Sequence, residues 1–273
     1  MASVDNANCS CNYLFINGNL NINSNSTLNI YRNLINYGNI DGSADFSQLQ
    51  FCGSAAQTFI NLGTVTSPIS IFTVNNPNGL TIDATSNIFT ALNINLYCGI
   101  LTNNKKLSIV ICGTTPAMIQ RGASGSSNTA GSLNDSLYSF GIGSGGLNIL
   151  YVSSSTTINT GYEIPTSGNV NYIYAGYSTT LSKNITISDS LNLAAGSFSK
   201  GAKTLTLGNN CTIIRSGGSL ASAPVYSANV NIAYTGSNAI TIANEMPVWP
   251  TSTILQNLTN SNTNSVTINR NVT

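Results

Sequence analysis

The chain has 273 residues, nine Lys and Arg against eight Asp and Glu, and is only 6% charged although 41% of it is apolar. A net charge of +1 offers no electrostatic pull on nucleic acid or anionic lipid. The sequence contains no His, which removes Ser-His-Asp and Cys-His chemistry and the commonest metal ligand. In chain order, the N-terminal stretch MASVDNANCSCN lacks the basic and apolar regions of a secretory signal. Short alternating apolar pairs follow: Leu14 with Ile16, Leu20 with Ile22, and Leu28 with Ile30, separated by NGN and NSNST. Later come Leu107 with Ile109, Ile185 with Ile187, Leu191 with Leu193, and Leu205 with Leu207. Each reads as a strand of three to five residues closed by Asn, Gly or Ser. No stretch carries helical apolar spacing, and no run approaches the roughly 18 apolar residues of a membrane helix.

Strands this short do not stand alone as hairpins, but they suit the faces of a coil whose rungs stack in register. Their spacing predicts two or three strands in each rung of roughly 20 residues. The expected fold is all-β, a parallel β-solenoid of short strands with Asn/Gly-rich corners. An antiparallel sandwich would need longer strands and a core Trp, whereas Trp249, the single Trp, lies between Pro247 and Pro250. Asn tolerates the left-handed backbone region and, buried at equivalent corners, can hydrogen-bond along the stack. The strings NGN, NNPNG and NNC are therefore expected corners. Low charge fits the same picture, because like charges repeated every ~4.8 Å would repel.

Internal repetition supports a solenoid. FTVNNPNGLTID (72–83) matches LTNSNTNSVTIN (258–269), and TTLSKNIT (179–186) matches VTINRNVT (266–273). NILYVSSSTTINTGYEIP, ending at Pro165, matches NIAYTGSNAITIANEMP, ending at Pro247. Residues 1–273 are expected to form one continuous solenoid of imperfect repeats, about 12–112, 113–215 and 216–273. The last repeat stops where its counterpart continues, so a fragment of a longer array is expected. ASGSSNTAGSLNDS (123–136) and SGGSLASA (216–223) interrupt the rhythm at matching places and are expected as exposed insertions.

Six cysteines, Cys9, Cys11, Cys52, Cys98, Cys112 and Cys211, are either buried thiols or up to three disulfides with fifteen connectivities. On a strand Cys9 and Cys11 face one way and cannot easily bond to each other. GIGSGG at Gly141 lacks a following helix and reads as a turn. Glu163 and Glu245 hold matching places, and each is expected to accept hydrogen bonds at a corner before a proline. Asp41 and Asp45 would make at most a weak cation site, so no metal or cofactor site is assigned. Tyr172, Tyr174 and Tyr177 lie close together, and exposed rings there would stack on sugar rings. No catalytic residue is assigned; a carbohydrate-active enzyme is the third reading, after a structural or adhesive protein and a glycan-recognising fibre.

The strings GSAAQTF, FTVNNPNGLTID, GILTNNKKLSIV, GYEIPTSGNVNYIYAG, KTLTLGNN and NEMP, spread from about Asn17 to Thr273, resemble repeats of large cell-surface proteins of Bacteroidota. Those are adhesins and gliding-motility surface proteins exported by the type IX route. The resemblance implies an extracellular, non-catalytic filament or stalk, partnered by neighbouring repeats or identical subunits end to end, and by surface glycans. Phage or secreted fibres look similar. Asp135-Ser136-Leu137 and Asp189-Ser190-Leu191 resemble Bacteroidota O-glycosylation sites, which would place sugar on Ser136 and Ser190.

Overall fold

The computed structural model describes residues 2–4, 8–110, 114–122, 129–141, 145–247 and 255–268. Among them there is no helix, and the strands stack in parallel as a β-solenoid. Neighbouring strands are one circuit of chain apart: Leu28 pairs with Leu49, Ile173 with Leu191, and Ile232 with Leu258, giving circuits of 21, 18 and 26 residues. Parallel neighbours require such a return path each time, so the antiparallel sandwich does not apply. Trp249 lies outside the described residues. Contacts divide the chain into two compact units, Met1–Leu147 and Asn148–Thr273, and the repeat boundaries expected near 112 and 215 each fall inside a unit.

In the first unit one circuit carries three short strands, Asn19–Ile22, Thr27–Ile30 and Leu34–Asn36, each in a different sheet. Strict alternation turns Leu28 and Ile30 inward and leaves Thr27 and Asn29 half-buried on the outer face. Inward residues stack on their counterparts one rung away, Leu28 on Leu49, Leu49 on Phe72 and Phe72 on Ile94. Each buried Leu, Ile or Phe adds about 2 kcal/mol of apolar burial. Phe51, Phe59, Phe72 and Phe89 form a buried aromatic cluster with centroids 5.2 to 5.7 Å apart.

In the second unit Asn169–Ala175, Ile185–Leu193, Cys211–Arg215, Val230–Tyr234 and Leu255–Asn260 pair in that order. Ile173, Leu191, Ile213 and Ile232 form its inward column. Ile185–Leu193 is longer than the expected three to five residues because it joins two predicted strands, with a register shift in its pairing with Asn169–Ala175. Its first half pairs with Leu205–Leu207 and its second with Cys211–Arg215. Phe89–Cys98 in the first unit does the same, pairing with Leu107–Val110 and then with Ala117–Arg121.

The corners use Asn and Gly in separate ways. Asn25, Asn104 and Asn210 take positive φ, so the NNC corner turns through Asn210, which is exposed. At NNPNG, Asn76 is buried and its Nδ2 donates to Gln57 Oε1 at 2.9 Å and to Ala55 O at 2.7 Å. At the NGN corner Gly18, Gly38 and Gly63 stack, and a Cβ on Gly38 would lie 2.0 Å from Gly18 O. Beside them, buried Asn36 Nδ2 donates to Asn61 Oδ1 at 2.7 Å, the amide ladder anticipated from composition.

Candidate functional site

The Asn169–Ala175 strand places Tyr172 and Tyr174 two residues apart on its outer face, with Ile173 fully buried between them. Register sets Tyr172 between Asn148 and Ser190, and Tyr174 between Leu150 and Asn192. Both are half-buried. Asn192 Nδ2 donates to the Tyr172 hydroxyl at 3.4 Å, and burial pushes that phenol above its ordinary pKa. The Tyr174 ring fills the space that Gly176 leaves open, since a Cβ there would meet its Cε1 at 2.6 Å. Tyr177 lies beyond Gly176 on the turn into Thr179–Thr180, where its carbonyl accepts from Thr179 Oγ1 at 3.0 Å. Two of the three expected stacking residues therefore share a strand face, and the third is on a corner.

Cys9, Cys11, Cys52, Cys98 and Cys211 are all free thiols, and Cys112 lies outside the described residues. Cys98 and Cys211 are buried, whereas Cys9, Cys11 and Cys52 are half-buried. Cys98 Sγ donates to Asn75 Oδ1 at 3.4 Å, and burial pushes Cys211 up to about 12. Ser190 is buried, with its hydroxyl donating to Asp189 Oδ2 at 2.9 Å, so the folded chain does not offer it for glycosylation. Ser136 is half-buried at a corner tied to Asn103, whose Nδ2 donates to Ser136 O at 3.0 Å and Asp135 Oδ1 at 2.9 Å. Asp41 turns its Oδ1 to its own loop, accepting from Ser43 N and Oγ. Part of GIGSGG lies outside the described residues.

The matching carboxylates are fully buried, and each caps a corner as expected. Glu163 Oε1 accepts from Gly161 N at 3.0 Å, and Glu245 Oε1 from Ala243 N at 3.2 Å. Their partners were not legible from the sequence. Tyr151 donates to Glu163 at 3.1 Å, and Tyr234, at the same place in its repeat, donates to Glu245 at 3.3 Å. Arg215 Nη1 forms a buried ion pair with Glu245 and also donates to Thr241 O at 2.8 Å, while its Nε donates to Gly218 O at 2.6 Å. Burial, reinforced by the Glu245 charge, raises the Tyr234 phenol well above its ordinary value. In the first unit Arg121 Nε donates to Gly131 O at 2.6 Å in the same manner. The two interruptions at 123–136 and 216–223 each follow such an arginine. Each also contains a strand, Ser132–Leu133 or Ser219–Leu220, so neither is wholly an exposed insertion. A carboxylate sealed and paired in this way holds a turn in place and is out of reach of a substrate.

An aromatic face in the first unit escaped the sequence reading. Phe15, Ile35 and Ile60 are directly paired on three successive strands and point outward, Ile35 and Ile60 between buried neighbours and Phe15 between half-buried Leu14 and buried Ile16. Two residues along, just past the ends of their strands, Tyr37 and Leu62 are exposed. Phe15 and Tyr37 are 61% and 53% exposed, and their rings stack with centroids 5.8 Å apart and planes 30° from parallel. The signal was available as FINGN, INYGN and INLGT, a motif recurring 20 and then 25 residues on with its glycine in register. Comparison of the chain with protein-family models, with curated proteins and with solved structures found no match.

Proposed function

We propose that the chain is a structural, adhesive segment of an extracellular surface protein or filament, in which rung-on-rung cohesion is the working physics. The observation that carries this reading is where the polar chemistry goes. The Asn36–Asn61 amide pair, the Asn76–Gln57 pair and the Arg215–Glu245 ion pair all spend their hydrogen bonds within the stack. The motif resemblance points the same way, toward cell-surface repeats delivered by the type IX route. Partners on this reading are further repeats or identical subunits, meeting through open strand edges. The test is immunogold labelling with antibodies to the chain on intact and ruptured cells of the organism that makes it. Label on intact cells is expected; label confined to ruptured cells would sink the proposal.

A further inference from the structure

We propose that the outer face of the six-stranded sheet in the first unit is a binding platform for a neutral saccharide, with the stacked Phe15 and Tyr37 rings as its floor. Exposed aromatic rings scattered singly need no reason, but here two are stacked on each other beside a column of apolar residues in register. Phe15, Ile35 and Ile60 make one column across three rungs, ~4.8 Å apart, and Tyr37, stacked on Phe15, widens it. The rings lie near parallel, within the centroid range of offset stacking, so they form a surface rather than an isolated knob.

The rim supplies the complementary chemistry. On one flank, Asn33 and Thr58 are bridged by the Thr58 N–H donating to Asn33 Oδ1 at 2.9 Å. Past the Gly38 corner, on the adjoining four-stranded sheet, Asn39 Oδ1 accepts from Thr64 Oγ1 at 2.9 Å. Amides and hydroxyls beside an apolar floor match a ligand with C–H faces and hydroxyl edges. None of these side chains is charged, which disfavours nucleic acid, acidic peptides and anionic lipid. Area favours the small ligand too. A stable protein partner needs about 20 to 30 residues a side, against the handful here.

Both aromatic side chains are more than half exposed, so truncating them leaves the core intact. The inference stands on the face itself and not on where the chain is displayed. A displayed chain without saccharide affinity would leave the scaffold reading standing, and an undisplayed chain with affinity would overturn only that reading.

The experiment titrates the intact chain with cellohexaose, laminarihexaose and mannohexaose, with a sialylated oligosaccharide as charged control, by calorimetry and by NMR of the aromatic signals. At least one neutral hexose oligomer is expected to bind and to shift the Phe15 and Tyr37 resonances. Phe15→Ala and Tyr37→Ala should each weaken it at least tenfold, and Tyr138→Ala, which removes another exposed ring of the first unit, should leave it unchanged. Circular dichroism and urea midpoints of the variants check that the fold is retained. Three outcomes overturn the proposal: none of the three oligomers binds at millimolar concentration, binding survives both aromatic truncations, or sedimentation shows self-association that those truncations abolish. The last would assign the face to a second copy of the chain.

Discussion

Arg215 and Glu245 show what a single pair of residues does in a chain with so few charges. Their side chains are 9% and 0% exposed, and the carboxylate also accepts from Tyr234 and from the Ala243 amide. Glu245→Gln would leave a guanidinium buried without its counter-charge, at a cost of about 3 to 5 kcal/mol. Urea unfolding should show that loss as a lower midpoint with an unchanged slope. Cys211 sets a second expectation. Burial raises its thiol from 9.0 to about 12. Between those values the unfolded chain has released the proton that the folded chain keeps, so unfolding is favoured as pH rises. The contribution is complete below pH 9 and disappears by pH 12. Urea midpoints measured from pH 8 to 11 should therefore fall, and fall less steeply in Cys211→Ala.

At the scale of the element, the corners carry the specificity that short strands cannot. Asn36 donates to Asn61 Oδ1 and Thr64 O and accepts from Gly38 N, so one amide closes three bonds across two rungs. Asn36→Ala should cost about 1 to 3 kcal/mol through the partners left unsatisfied. Asn36→Asp should cost more, because a carboxylate would face the same two acceptors; ordered midpoints in urea check this. Alternation in the strands was plain in the sequence, and Leu14–Ile16, Thr27–Ile30 and Leu205–Leu207 lie where the pattern put them. The fusion of Ile185 to Leu193 into one strand was not. Its mark is a lapse of alternation, with Ser188 and Asp189 both exposed and Ser190 and Leu191 both buried.

For the molecule as a whole, 17 charged side chains in 273 residues leave little for salt to screen. Among the described residues the ion pair of Arg215 and Glu245 is buried, where screening is weak. The melting temperature should therefore shift by no more than about 2 °C between 0.05 and 1 M NaCl, since exposed pairs are the salt-sensitive ones. A larger fall on adding salt, followed by calorimetry, would mean that surface charge matters more than the stack. By itself the sequence determined the class of fold. Period-two alternation in short runs, no helical spacing, and Asn and Gly at the breaks leave few alternatives to a parallel coil. Only the tertiary structure decided which residues meet. Circuits of 18, 21 and 26 residues slide the rungs past any fixed repeat, so spacing along the chain does not tell which side chain lies over which. That is why Phe15 stacking on Tyr37, Ser190 losing its exposure and Arg215 reaching Glu245 had to await coordinates.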